Sequence, residues 1–453
     1  MAATPQRGSS RGGSASRWRT LRRWLQPGLG VKRWLVAMVV GTVLFGLAVA
    51  LLLLNFHTSA PGSVLVSWLG LEGPAHPLRV LVLLVSGVFL IYLSVFRLNR
   101  TLLAPYLRTG KPVVEAVAEH RRLGRGPKVV AVGGGTGLSA LLRGMKDRTG
   151  NLTAIVTVAD DGGSSGRLRR TLGLPPPGDV RNCLAALSDD EDLLTQLFQY
   201  RFTGEGELEG HAFGNLLIAA LAGVTGSFER GVLDAGRVLA IRGRVLPATL
   251  VDVSLVADKA HALDAQAFRV EGESLIPAVP GQVRRIHLEP NDVPAYPEAI
   301  RALLAADLIA IGPGSLYTSI LPNLLVPEIA DAIRASRAFK VFICNIATQA
   351  GETDGYDCAS HLRALQEHTG QGLVDLMLVN QCPASATPNG MTPVRLSGNG
   401  LEVPISSEDV ADPDRPGHHD PSRLADTLLR LLEERTGPLD LPTGEPFSGQ
   451  RLN

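Results

Sequence analysis

A short apolar run at residues 128–132 (KVVAV) meets Gly133, Gly134, Gly135, Thr136 and Gly137. A helical pattern follows over 138–146, and a second apolar run covers 153–159 (TAIVTVA). Strand, turn, helix and strand within about 30 residues imply two parallel strands joined by a right-handed crossover. Further buried-strand runs at 308–311, 341–345 and 374–380 each adjoin a helical stretch. The alternation predicts an α/β fold, a Rossmann-like parallel sheet with helices on both faces. Segments 250–256, 268–270 and 283–288 read as antiparallel strands inserted into that pattern. Asp420 as N-cap and Pro421 at the first helical position open a last helix over 421–434. The Pro/Gly-rich stretch 437–453 is expected to fray.

Ahead of this domain the charge is unevenly spread. Residues 1–33 hold eight Arg/Lys and no acid, and 34–54 is a stretch of 21 residues without charge. A second uncharged run of 17 residues lies between Arg79 and Arg97. A helix needs roughly 20 apolar residues to span a bilayer, so spans are expected at 34–56 and 80–96, joined by an external loop at 57–79. Basic residues flank both runs on the sides away from that loop, which places both termini and the domain in the cytoplasm. The linker 97–125 carries a helical stretch at 111–122 that either lies on anionic lipid or is solvated. The domain proper is expected at 126–436. Across the chain 44 Lys+Arg face 43 Asp+Glu, a balance that argues against a dedicated nucleic-acid binder. Cys183, Cys344, Cys358 and Cys382 form no C-x-x-C pair and read as buried, reduced thiols.

The chemistry-bearing residues gather at strand ends. Gly133–Gly137 is a glycine-rich strand-to-helix turn, where backbone can approach a phosphate and the helix N-terminus offers free N–H groups. It is not the dinucleotide fingerprint, because Leu138 stands at the last glycine position, and no Gly-Lys-Ser/Thr makes it a P-loop. The other reading is a tight turn without a ligand. Asp160 and Asp161 follow the second strand and suit a hydroxyl or a hard cation, Mg²⁺ being the candidate. Ser164, Ser165 and Gly166 continue as a potential anion nest, with Arg167 in reach of a phosphate. The alternative there is an ordinary Asp/Gly turn. Asp179 reads either as a helix cap or as a ligand contact, with Arg181 and Asn182 in the first turn behind it. His211 and Asn215 open an apolar helix, His211 as a cap, a buried hydrogen-bonding group or a base. Gly312, Gly314, Ser315 and Ser319 form a second glycine turn, and Asn345 and Thr348 follow the next strand. In open parallel sheets ligands bind outside the carboxyl ends of the strands, so these loops are expected to build one composite pocket.

Taken together, GGGTG, ADDGGSSGRLR, PPGDVRNCLAALS, HAFGNL, GPGSLYTSILPNL and NIATQAGETDGY resemble the bacterial gluconeogenesis factor family, which is related to 2-phospho-L-lactate transferase. The likeness runs from 126 to about 435. It departs at Ala347 and Ala350, where that family usually carries Met and Pro. The resemblance implies a nucleotide ligand: binding of UDP-sugars and a role in cell shape, envelope and central carbon metabolism during gluconeogenic growth. The transferase relatives imply instead a reaction on a nucleotide-linked phosphoester. In the first case the two glycine turns would hold a diphosphate. In the second, Asp160 or Asp161 would hold Mg²⁺ or orient an acceptor hydroxyl, and Arg167 would neutralise phosphate charge. An envelope-synthesis protein is the expected partner and the inner membrane the expected location. The membrane spans are an addition that compact family members lack.

Overall fold

A computed structural model describes residues 31–57, 76–103, 118, 121–188, 193–261, 266–381, 392–397 and 401–437. The expected basic tail, external loop, juxtamembrane helix and C-terminal tail, and Cys382, lie wholly or largely outside these described residues. The chain forms two compact units, residues 1–119 and 120–453.

The first unit is a helical pair, α1 (Val31–His57) and α2 (His76–Leu103). Each contains an uncharged or nearly uncharged window long enough to cross a bilayer, Arg33–Leu53 and Val80–Asn99. Gly41 and Gly87 set their contact. A Cβ on Gly87 would stand 2.8 Å from the Phe45 nitrogen and 3.0 Å from the Gly41 carbonyl oxygen, so the two backbones touch there, as small residues allow between membrane helices. Ala48, Leu51 and Val80 are buried, whereas Val36, Val39, Val43, Leu81, Val85 and Phe89 face outward. Arg33 and Arg97, one from each helix, lie 5.2 and 5.4 Å from the Trp34 ring, a cation–π arrangement that ties together the ends the charge pattern marks as basic. The two helices are candidate membrane spans.

The second unit holds a seven-stranded sheet in the order β10-β9-β8-β7-β1-β2-β3. In chain order its strands are β1 (Val129–Gly133), β2 (Leu152–Val156), β3 (Arg244–Pro247), β7 (Leu308–Ile311), β8 (Phe339–Ile343), β9 (Leu376–Asn380) and β10 (Ile405–Glu408). Every neighbouring pair is parallel. The chain therefore starts in the middle, winds outward through β2 and β3, crosses to β7, and winds outward the other way. The reversal lies between β1 and β7, the topological switch point of a doubly wound sheet.

Both faces are covered, and residue alternation shows it. Val130, Val132, Ile155, Ile309 and Ile311 pack into one core, and Val129, Ala131, Ala154, Val156, Leu308 and Ala310 into the other. A strand buried on both sides has no polar face, which is why these runs read as continuous apolar segments. Helices α3 (Gly135–Met145), α4 (Gly163–Leu172), α5 (Gly178–Leu187), α6 (Phe213–Thr225) and α7 (Phe228–Val238) lie in the first winding. In the second lie α8 (Pro297–Leu304), α9 (Pro327–Ala335), α10 (Cys358–Thr369) and the closing α11 (Pro421–Thr436). Asp420 caps α11 by accepting from the Arg423 N–H at 2.8 Å, as its sequence position predicts.

The inserted strands form a separate antiparallel sheet, β5-β4-β6, with β4 (Ser254–Ala260) central, β5 (Ala267–Glu271) and β6 (Gln282–Glu289) outside. The central strand starts four residues later than expected. Thr249 Oγ1 donates to the Pro294 carbonyl and accepts from the Val251 N–H, a side-chain turn that competes with strand pairing over 250–253.

Two glycines provide a packing test. A Cβ on Gly144 in α3 would lie 1.8 Å from the Pro421 carbonyl oxygen of α11, whereas one on Gly223, exposed in α6, meets nothing within 4 Å. Gly144→Ala is expected to destabilise the protein by about 3 kcal/mol by overpacking. Gly223→Ala is expected to stabilise it by up to about 1 kcal/mol through helix propensity. Denaturant midpoints of the two variants measure both.

Candidate functional site

The carboxyl ends of β1 and β7 open onto a cavity of about 620 Å³. Two glycine turns form its floor. After β1 the chain passes through Gly134 to Gly137 into α3, and Gly135 adopts a left-handed φ of +66°. After β7 it passes through Gly312, φ +84°, to Ser315. The turns meet backbone to backbone. A Cβ on Gly137 would fall 2.7 Å from the Pro313 carbonyl oxygen, and one on Gly314 3.3 Å from that of Gly134. At Gly137 only glycine permits that approach. Asn323, buried beneath, donates from Nδ2 to the carbonyl of Gly133 at the end of β1 and to that of Ser319 in the helical stretch after the second turn, at 2.9 and 2.8 Å, linking the two segments just below the floor.

Of the residues singled out from sequence, Gly134, Gly135, Thr136, Gly137, Asp160, Asp179, Asn182, Gly314, Ser315, Ser319, Asn345 and Thr348 line this one cavity. Gly133 and Gly312 sit just below it at the strand ends. Asn345 accepts from the Gly314 N–H at 3.4 Å, and Gln349 donates to Ser315 Oγ at 2.7 Å, so the loop after β8 steadies the second glycine turn.

Ser164, Ser165, Arg181, His211 and Asn215 form a buried layer behind the wall. Ser164 Oγ meets His211 Nδ1 at 3.1 Å and accepts from Asn215 Nδ2 at 3.0 Å and from the Ala212 N–H at 3.3 Å. Asn215 reaches Ser165 Oγ at 3.4 Å, and Ser165 hydrogen-bonds to Asp160. Burial and the Arg167 charge lower the His211 pKa, favouring a neutral ring locked into a structural network. Arg181 donates to Asn182 Oδ1 at 2.7 Å. Gly166 packs against the Asp161 carbonyl.

Two expected residues, Asp161 and Arg167, are placed differently from their sequence reading, and of the two readings of Asp179 the helix cap is the one not seen. Asp161 turns away from the cavity, and its Oδ1 accepts from the Ser274 N–H at 2.9 Å. Arg167 donates to the Glu209 carbonyl at 2.5 Å and is not among the cavity-lining residues. Asp179 does not cap its own helix: Pro177 holds the N-cap position, with no side-chain cap. Its carboxyl instead accepts from the Gly135 N–H across the cavity floor. Glu273, Arg143, Thr157, Thr318, Gln349 and the segment Arg415 to His419 also line the wall. Of these, Thr318 and Gln349 stand within the GPGSLYTSILPNL and NIATQAGETDGY blocks, and the others carried no sequence signal.

The electrostatics of the site are dominated by carboxyl groups. Burial, then the neighbouring Asp160 charge, pushes Asp179 up to about 7. Burial, then Asp160 and Asp179, pushes Glu273 up to about 8. Asp160 is itself raised, chiefly by burial. No three His, Cys, Asp or Glu side chains converge as a metal cage among the described residues. Asp160 and Asp179 nevertheless offer two carboxylates, a set that suits Mg²⁺, which keeps waters and substrate phosphates as its other ligands.

The chain matches the family described as 2-phospho-L-lactate transferase CofD over residues 129–397. It is 47% identical to the gluconeogenesis factor of Bacillus subtilis, an alignment covering 69% of this chain and 100% of that protein. A gluconeogenesis-factor relative from Nostoc sp. is 44% identical over 437 residues, 90% of this chain and 92% of the relative. That alignment extends into the first 119 residues. A crystal structure of a UPF0052 family member from Bacillus halodurans superposes with a TM-score of 0.63 at 46% identity, covering 67% of this chain and 99% of that one.

The raised carboxyl pKa values carry a stability consequence. Between the ordinary values of 3.8 and 4.5 and the folded values of about 7 and 8, the folded state binds more protons than the unfolded one. Stability of the ligand-free protein should therefore fall as pH rises through that window. Asp179→Asn and Glu273→Gln should each flatten the decline and raise the melting temperature at about pH 8. Thermal unfolding across the pH range reads both effects.

Proposed function

Because the chain belongs to the gluconeogenesis factor family and carries its CofD domain, we propose that it is a membrane-anchored nucleotide-sugar-binding protein. Its ligand is a UDP-sugar, and binding regulates cell shape, envelope and central carbon metabolism during gluconeogenic growth. One observation carries this reading: two glycine turns meet at the switch point of a parallel sheet and leave a cavity of about 620 Å³ above them. The first turn opens α3, whose N-terminal N–H groups and dipole favour an anion. The diphosphate lies against Gly134–Gly137 and Gly314–Ser315, with Asn345 and Gln349 holding the second turn in place. Asp160 and Asp179 would hold Mg²⁺, which would neutralise phosphate charge that these carboxylates otherwise repel. Ser165, aimed by Asn215, orients Asp160, and Arg181 orients Asn182. Helices α1 and α2 anchor the protein in the inner membrane, with both termini and the domain in the cytoplasm, where an envelope-synthesis protein can be reached.

The CofD match supports a second reading, a transferase acting on a nucleotide-linked phosphoester. In that case Asp160 and Asp179 would position the acceptor hydroxyl, and the same N–H groups would stabilise charge developing on the phosphate.

Calorimetry on the full chain in detergent separates the two. UDP-N-acetylglucosamine should bind with a Kd in the range of about 1–100 μM, more tightly with Mg²⁺, and be recovered unchanged. Asp160→Asn combined with Asp179→Asn should abolish the Mg²⁺ dependence. Failure of every UDP-sugar to bind below about 1 mM overturns the first reading. Consumption of a nucleotide donor that Asp160→Asn abolishes establishes the second.

A further inference from the structure

A second cleft lies at the opposite end of the sheet. Its lining includes Lys128, Asn151 and Arg244, which stand at or just before the first residues of β1, β2 and β3. It therefore opens at the amino ends of those strands, away from the site above. Its volume is about 430 Å³, and Arg301 of α8 adds a third cation to the wall. A smaller cavity of about 210 Å³ adjoins it between α7 and β3, lined by the apolar Leu184, Val232, Leu233 and Ile241. The two share Gly243 and Arg244, and Gly243 has no side chain to divide them. Together they form one cleft with a cationic half and an apolar half. The apolar half faces solvent, with Leu233 41% exposed.

The charges of the polar half do not cancel. Glu298 engages Arg301, and Asp307 accepts from the Lys128 backbone N–H at 2.7 Å. The Arg244 guanidinium donates to the Thr153 hydroxyl at 3.4 Å, and among the described residues no acid pairs with it or with the Lys128 ammonium. The chain also enters the domain beside this cleft. The Gly150 N–H donates to the Leu123 carbonyl at 2.8 Å, and Asn151 Nδ2 donates to the Gly124 and Gly126 carbonyls at 3.0 and 2.7 Å. Gly150 and Asn151 both line the cleft, and Arg121, Arg122 and Arg125, all exposed, accompany the entry. Chain arriving from the candidate membrane spans thus reaches the domain at its cationic end. A phosphate diester suits two uncompensated cations, whereas the apolar half calls for hydrocarbon. A phosphate or nucleotide alone would leave that half unfilled. An amphiphile with an anionic head uses both halves, and the cytoplasmic leaflet supplies such molecules.

We propose that this cleft binds an anionic phospholipid, with the headgroup phosphate against Lys128 and Arg244 and an acyl chain against Val232, Leu233 and Ile241. The amino ends of the strands then face the membrane, and the glycine-floored cavity at their carboxyl ends faces the cytoplasm. The inference rests on the membrane-anchored part of the reading above and is independent of the nucleotide ligand.

The test places the full chain in nanodiscs that carry either phosphatidylglycerol or phosphatidylcholine with a photoreactive acyl chain, and maps the crosslinked peptides by mass spectrometry. Crosslinks within Arg33–Leu53 and Val80–Asn99, from both lipids, report the anchor. Crosslinks within residues 232–245 report the cleft. These should be at least about five-fold more abundant with phosphatidylglycerol than with phosphatidylcholine. They should fall at least about five-fold when Lys128→Gln and Arg244→Gln are combined, and both side chains are exposed, so the variant keeps its fold. Soluble glycerol phosphate at the concentration of the lipid should leave the cleft crosslinks in place. Its complete displacement of them makes the cleft a small-anion site and overturns the lipid assignment. Anchor crosslinks with none at 232–245, or equal yields there from the two lipids, overturn the proposal alone. Absence of crosslinks from both spans overturns the membrane-anchored reading and the proposal with it.

Discussion

The close approach of two glycine turns across the switch point is the contact on which the rest of this domain depends. Gly137 lies against the Pro313 carbonyl and Gly314 against that of Gly134, and no side chain fits between them. Because β1 and β7 are adjacent and parallel, both strands deliver their turns to the same edge. The glycines then let the two backbones close into one floor, with Asn323 bonded below it to Gly133 and Ser319. Larger residues would push the turns apart and open the floor of the cavity.

Around that floor the domain gathers groups that work against its own stability. On top of the penalty of burial, the Asp160 charge raises the pKa of Asp179, and the Asp160 and Asp179 charges raise that of Glu273. Arg181, buried behind the wall, offsets part of this by lowering the pKa of Asp160 and Asp179, and burial lowers its own pKa in turn. Such mutual repulsion is common where a site must accept a cation or a proton along with its ligand. The layer of Ser164, Ser165, His211 and Asn215 has the opposite character. It is buried, densely hydrogen-bonded and uncharged, and it fixes the Asp160 side chain through Ser165. A stiff neutral shell behind a strained charged wall is how a preformed pocket keeps its geometry without a ligand to hold it.

The helical pair follows different physics. Its two helices approach most closely at Gly41 and Gly87, and the exposed large residues on its outward surface are apolar. In water that surface would be unfavourable, whereas in hydrocarbon it costs nothing and backbone contact at small residues suffices to pair the helices. The compact Bacillus subtilis relative aligns with only 69% of this chain, while the Nostoc relative aligns with 90%, so the N-terminal region varies between relatives while the α/β domain is shared.

The sequence alone determined the helix–strand alternation, the parallel central sheet and the glycine turns at strand ends, because periodicity, chain length and the conformational freedom of glycine are local properties. It left β3 and β10 unread, since RVLP opens on a charge and closes on proline and ISSE carries little apolar signal. Tertiary structure decided which way side chains point and which distant segments meet. Asp160 and Asp161 are adjacent, and in extended chain neighbouring side chains project to opposite sides. One enters the cavity and the other bonds to Ser274. Asp179 reaches Gly135 rather than its own helix end, and Glu273 and His419 arrive from the inserted sheet and the last loop. No local pattern could announce those meetings, because they depend on the order in which parallel strands are laid beside one another.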